Sequence, residues 1–221
     1  MSLSPLLTRL RPLLLGLPVL GALLLAACNV LPAPQADSTR FYVLTGPALA
    51  TSSSGTVAGK LRIGFKNVQL AEYLKTPTPA VRSGANELTF PDATRWAEPL
   101  EAGIGRVLEA TLQAAPTVGV VYARPFPFEA ERDYDVSVIV TRCEGSTGSH
   151  AAAHFAATVE ISTAGPTAHL VAHRVFAPDP APWDGHDYGR LVALLSAQIG
   201  ELGQTIVSEL PESPRHHEET R

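Results

Sequence analysis

The sequence predicts an α+β fold: a largely antiparallel sheet with two amphipathic helices packed on one face. Three observations predict it. Tyr134, Val136, Val138 and Val140 alternate with Asp135, Ser137, Ile139 and Thr141, the period of a half-buried strand. Two other stretches repeat their apolar residues at helical spacing: Trp96, Leu100, Ile104, Val107, Leu108 and Leu112, then Tyr188, Leu191, Leu195, Ile199, Leu202, Ile206 and Leu210. Finally, the elements run strands, helix, strands, helix. A twisted sheet carrying both helices on one face buries both stripes, so one α+β domain is expected over residues 38–210.

The elements follow in chain order. Arg40 to Leu44 is a short strand candidate, and Thr45 to Gly59 is a loop of small and polar residues. Leu61, Ile63 and Phe65 alternate with polar neighbours around Gly64, the pattern of a second strand. Val81-Arg82-Ser83 and Glu87 to Phe90 flank Gly84-Ala85-Asn86, which reads as a hairpin. The first helix takes Asp92 or Thr94 as its N-cap, holds Pro99 in its first turn, and stops before Pro116. Strands are expected at Val118 to Tyr122, through the Tyr134 alternation, at Phe155 to Ile161 and at His169 to Phe176. Gly145 to Ser149 reads as a turn, Gly165-Pro166 joins the last two strands, and Asp179 to Gly185 is a Pro-rich loop. Asp187 is the N-cap candidate of the last helix.

The first residues carry an address. Within 1–27, Arg9 and Arg11 form a positive start, Leu13 to Leu25 an apolar stretch, and Ala26 and Ala27 the small residues of a cleavage site. Leu25-Ala26-Ala27-Cys28 matches the lipobox of bacterial lipoproteins at every position. The lipoprotein signal peptidase needs small side chains before the cut, and the cysteine thiol takes the diacylglycerol. Residues 1–27 are therefore expected to be a lipoprotein signal peptide, with Cys28 as the lipidation site. The apolar run is shorter than the roughly 20 residues of a spanning helix and is interrupted by Pro18. No later stretch reads as long and apolar enough to span. Asn29 stands where an aspartate would retain a lipoprotein at the inner membrane. It points to the outer membrane, with the domain lipid-anchored there and facing the periplasm. Residues 28–37, with Pro32 and Pro34, read as a lipidated tether, and 211–221 as a disordered tail.

Charge and cysteine content exclude other classes. Once Arg9 and Arg11 leave with the leader, 15 basic and 21 acidic residues remain, a net charge of −6. A mildly acidic domain without a basic stripe argues against nucleic acid as a partner and against electrostatic binding to anionic lipid. Cys143 is the second of two cysteines; with Cys28 acylated it has no internal partner and reads as a small buried hydrophobe.

Few residues could carry chemistry. His150 and His154 are four apart, as are His169 and His173, a spacing that chelates zinc on a helix; both pairs fall in strands or at strand ends, without a third ligand nearby in sequence. Trp183-Asp184-Gly185-His186-Asp187 offers acid and base groups, but in a Pro/Gly loop. There is no Gly-x-Ser-x-Gly elbow, P-loop or Gly-x-Gly-x-x-Gly turn. A non-enzymatic chain without a cofactor is the reading this supports. A periplasmic metal-dependent hydrolase and a passive lipid-binding lipoprotein are the alternatives. In Arg95-Trp96-Ala97-Glu98-Pro99-Leu100, Trp96 reads as a core anchor at the head of the helical stripe, and Arg95 and Glu98 as an i, i+3 pair. The same residues, Arg95, Trp96, Glu98, Pro99 and Leu100, are also the best candidates for a partner surface.

Several pieces together resemble a known family. A lipobox is followed by Phe41-Tyr42-Val43-Leu44, Val68 to Leu74, Val81-Arg82, Asn86-Glu87-Leu88, the Arg95 to Leu100 run, Arg106-Val107-Leu108, and Asp133-Tyr134 leading into an alternating strand. In this order they resemble the PqiC-like ABC-type transport auxiliary lipoproteins, over essentially the whole mature domain. Lys75-Thr76-Pro77 departs from the Asp-Arg-Pro usual at that place in the family. The resemblance implies a non-catalytic accessory subunit at the outer membrane, working with a periplasmic MCE-domain protein that moves lipid between membranes. It also leaves room for a homo-oligomer, as rings of copies.

Overall fold

The computed structural model describes residues 36–47 and 61–212. The leader, Cys28, most of the tether, most of the loop at 45–59 and the tail from Ser213 lie outside the described residues. The elements are β1 (Arg40–Tyr42), β2 (Leu61–Phe65), β3 (Gln69–Leu70), a 3-10 turn (Glu72–Leu74), β4 (Ala80–Gly84), β5 (Glu87–Thr89) and β6 (Thr94–Trp96). After these come α1 (Leu100–Gln113), β7 (Val118–Ala123), β8 (Tyr134–Ser146), β9 (Ala152–Thr163), β10 (Leu170–Phe176), β11 (Ala181–Pro182) and α2 (Tyr188–Glu209).

The long strand β8 is the spine. On one side β9 runs antiparallel along its whole length, from Tyr134 opposite Thr163 to Ser146 opposite Ala152. On the other side β2, β3 and β4 lie end to end, each parallel to β8: Ile63 beside Tyr134, Leu70 beside Val140 and Ala80 beside Glu144. Beyond β9 stand β10 and β11, both antiparallel to it. Next to β2 lies β7, parallel, and next to β4 lies β5, antiparallel, closing the expected hairpin. Separately, β1 and β6 form a parallel two-stranded ribbon. The sheet is therefore mixed, not largely antiparallel. Apolar alternation has period two whichever way a strand runs, so it cannot report direction. The return of the chain between β7 and β8, across β2, makes those three strands parallel.

The α+β class and the buried helical stripes are as expected. Val136, Val138 and Val140 are buried while Ile139 and Thr141 face outward, and in β9 Phe155, Ala157, Val159 and Ile161 are buried. α1 packs on β7, α2 on β9 and β8, and the two helices on each other. Their approach is close at Gly203, where a Cβ would meet Thr111 Cγ2 at 2.7 Å. α2 spans 22 residues, and an 18-residue window within it has a mean hydropathy of 1.3, long and apolar enough by length and composition to cross a membrane. That corrects the sequence reading, in which only the leader came near. Leu191, Leu195, Ile199, Leu202 and Ile206 of this helix are buried in the core, where the stripe is used against the sheet and α1.

The start of α1 also differs from expectation. Trp96 and Leu100 are four apart, which fits a helical stripe, yet Trp96 belongs to β6 and the helix begins at Leu100. Pro99 is the cap residue, at φ −51° and ψ 134°, and no side chain bonds the first turn. A proline pushes the residue before it out of the α region, so Glu98 cannot be helical. Asp92 and Thr94 consequently cap nothing; the Thr94 hydroxyl donates to Pro91 O at 3.1 Å. Asp187 does cap α2, accepting from Arg190 N at 3.1 Å.

Candidate docking groove

The Arg95 to Leu100 run forms a corner between the β1–β6 ribbon and α1. Trp96 pairs across the ribbon with Tyr42 and donates its backbone N–H to Pro77 O at 2.7 Å. Its side chain is buried, 7% exposed, as a core anchor should be. Arg95 and Glu98 do not pair. In the extended backbone of β6 the Arg95 guanidinium turns back to donate to Thr94 O at 2.7 Å, Thr78 Oγ1 at 3.0 Å and Pro91 O at 3.3 Å. Glu98 instead pairs with Arg106, two turns along α1, and Arg106 also donates to Leu44 O at 2.9 Å. Leu100 is buried and Pro99 is exposed.

Beside this corner three hollows of about 520, 340 and 300 Å³ adjoin, and all three share Glu101. The first lies between Phe65, Val68 and Gly105; the second between Lys75-Thr76-Pro77 and Trp96 to Leu100; the third along Val68, Gln69 and Leu70. Together they make a groove beside the first turns of α1, apolar at Trp96 and more polar where the third hollow reaches β3. Trp96 is thus core on one side and wall of the groove on the other. The rim is acidic. Glu72 pairs with Lys75 at 2.6 Å and Glu98 with Arg106, whereas Glu101 and Glu109 have no ion pair among the described residues. Glu109 is half-buried, and burial pushes its carboxyl above the ordinary glutamate value. From sequence, the signal for this groove was the motif itself; the approach of Val68 to Lys75 was not legible.

The other candidate residues do not converge. His154 lies in β9 and His150 in the turn before it, while His173 lies in β10 and His169 just ahead of that strand. Four residues along a strand span about 13 Å, so neither pair forms a chelate as it would on a helix. No group of three His, Cys, Asp or Glu side chains suited to a metal occurs among the described residues. The loop from Trp183 to Asp187 is structural: Asp184 Oδ1 accepts from His186 N and Asp187 N, both at 2.8 Å, and the Trp183 indole donates to Asp187 O at 2.7 Å. Cys143 is buried, and burial raises its thiol to about 12, which leaves it inert as a nucleophile.

One polar centre escaped the sequence. Glu144 of β8 is fully buried and holds Arg82 at 2.7 and 3.1 Å and Arg142 at 3.0 Å. Burial pushes its carboxyl up, but hydrogen bonds from Arg82, Tyr73 and Arg142 outweigh this and hold it below the ordinary value. His154 stands opposite Glu144 in the ladder and contacts Ser146 Oγ at 3.0 Å. This Ser, His and Glu grouping is no nucleophile site. Ser146 is engaged with both backbone groups of Ala152 across the hairpin, and Glu144 is occupied by two arginines rather than by the imidazole. Glu144 lowers the free energy of the fold above pH about 4.5, the ordinary glutamate value, and loses that contribution as the pH falls through its lower folded value. Glu144→Gln is expected to cost about 1–3 kcal/mol at neutral pH. The gap from wild type should narrow at an acid pH below that value, where Glu144 begins to take up a proton and approaches the neutral state of glutamine. Urea unfolding at both pH values checks this, and an equal gap at the two would contradict it.

Comparison with known proteins follows the same lines. A family model described as the ABC-type transport auxiliary lipoprotein component matches residues 42–207. In fold the chain is similar to the crystal structure of protein XCC0632 from Xanthomonas campestris, of family DUF330, with TM-score 0.64 and 16% identity over 76% of this chain and 93% of that one. It is also similar to the crystal structure of an uncharacterized protein, with TM-score 0.60 and 16% identity over 78% of this chain and 99% of that one. At these identities the two structures speak for the fold alone. No curated protein matches the sequence.

Proposed function

The chain belongs to the ABC-type transport auxiliary lipoprotein family, and on that premise we propose that it is a non-catalytic accessory subunit of an MCE-type intermembrane lipid transporter. In this reading acylated Cys28 anchors it in the outer membrane, Asn29 keeps it from inner-membrane retention, and residues 38–210 hang in the periplasm on the short Pro-rich tether. Ten extended residues at about 3 Å each reach a partner some tens of ångströms below the membrane. The observation that carries the reading is that the family motif, besides anchoring the core through Trp96, walls an open groove on the surface with Trp96 to Leu100. A subunit that works by contact needs such a surface and no catalytic centre.

The test is a pull-down of residues 29–221, expressed without leader or lipid, against the MCE-domain protein encoded beside it. Outer-membrane permeability in the deletion strain is measured in parallel. Binding at micromolar concentration and a leaky barrier are expected. Absence of both, with stoichiometric zinc in the purified domain, would instead favour the hydrolase; co-purifying phospholipid without a protein partner would favour passive lipid binding.

A further inference from the structure

We propose that an extended segment of the transporter's periplasmic protein docks in the α1 groove, lying along the free edge of β3 with a lysine or arginine beside Glu101 and an apolar side chain in the hollow at Pro77 and Trp96. The proposal rests on the accessory-subunit reading and assigns that partner its surface.

Three observations carry it. The first is a gap in the sheet. β2, β3 and β4 form one interrupted strand along β8; β7 covers the outer edge of β2 and β5 covers that of β4, but among the described residues no strand lies beside β3. β3 is two residues long, so the uncovered edge offers one residue's backbone N–H and C=O to an added chain, enough to register a short extended segment and too little to invite a whole sheet. The second is shape. The three hollows adjoin at Glu101; one includes Gln69 and Leu70 of β3 and another Pro77 and Trp96, so a chain passing Glu101 reaches both, which a compact ligand in one hollow does not. The third is charge complementarity. Lys75 and Arg106 are neutralised by Glu72 and Glu98, so among the described residues the carboxylates of the groove without an ion pair are Glu101 and Glu109, and they call for a cation from the partner. The same acidic rim opposes an anionic lipid surface as the occupant.

The full lipidated chain tests this in cells. A photoreactive phenylalanine analogue replaces Ala102, which is exposed in the groove, and in a second strain replaces Glu160, exposed on the uncovered face of the sheet. An adduct from position 102 to a Lys- or Arg-bearing segment of the MCE-domain protein, with none from position 160, is the expected result. In the pull-down, Glu101→Lys should weaken binding about tenfold and remove its salt dependence, with Glu101→Gln between it and wild type, while Glu160→Lys changes nothing. If wild type binds but position 102 stays silent and Glu101→Lys binds as well as wild type, the groove is overturned and the accessory reading stands. If wild type does not bind and neither position yields an adduct, both fall. An adduct from position 102 to lipid, to a second copy, or to residues 48–60 of the same chain also overturns the groove proposal.

Discussion

A Cys28→Ser chain is expected to take up no palmitate, to remain an uncut precursor, and to lose its hold on the outer membrane. The Cys28 thiol is the group alkylated by diacylglycerol in the lipobox reading, and a serine hydroxyl is a far weaker nucleophile. The only other thiol, Cys143, is buried in the core and cannot substitute for it. In that reading membrane attachment depends on acyl chains, each buried CH₂ contributing about 0.8 kcal/mol, since the chain after the leader is net acidic and gains no attraction to anionic headgroups. The effect is therefore close to all or none. Radiolabelled palmitate and the apparent mass of the chain report it directly, and label retained by the serine variant would overturn the assignment. The family's lipoprotein character agrees with this expectation.

Trp96→Ala is expected to destabilise the domain by about 3–5 kcal/mol, the range for large buried aromatics. Its indole is buried where β1, the Pro77 loop and α1 meet, and truncation leaves a hollow that the ribbon cannot close, because the Trp96 backbone stays tied to Pro77 O. The loss should appear as a lower urea midpoint at unchanged slope. Trp96→Phe should recover part of it by refilling the volume. An unchanged midpoint in the alanine variant would mean that the side chain is not a core anchor. Because Trp96 also walls the groove, the phenylalanine variant separates the two roles: its fold should hold while partner affinity falls.

Much of this was readable before any fold was known, for physical reasons that differ between elements. The strand at Tyr134 and the helix at Tyr188 were legible because each repeats its apolar residues at its own period over many residues, and burial enforces that period locally. Asp187 was legible because a cap acts across three residues. Trp96 was misplaced onto the helix because its four-residue spacing to Leu100 is real but accidental; the restriction imposed by Pro99 and a partner strand more than fifty residues away decide the backbone there. The sheet's mixed direction was illegible because alternation has no sense of direction. Glu144 was illegible because its burial depends on Arg82, 62 residues distant in the chain, folding over it.

By itself the sequence determined the α+β class, the two buried helical stripes and the family, since periodicity, composition and short ordered motifs are local properties of the chain. Tertiary structure alone decided that β2, β3 and β4 line up along one strand, and that among the described residues β3 has no strand on its outer side and Glu101 and Glu109 have no ion pair. Those facts depend on which distant segments meet. That is set by loop connections and by the packing of a shared core, neither of which leaves a mark on any single stretch of sequence.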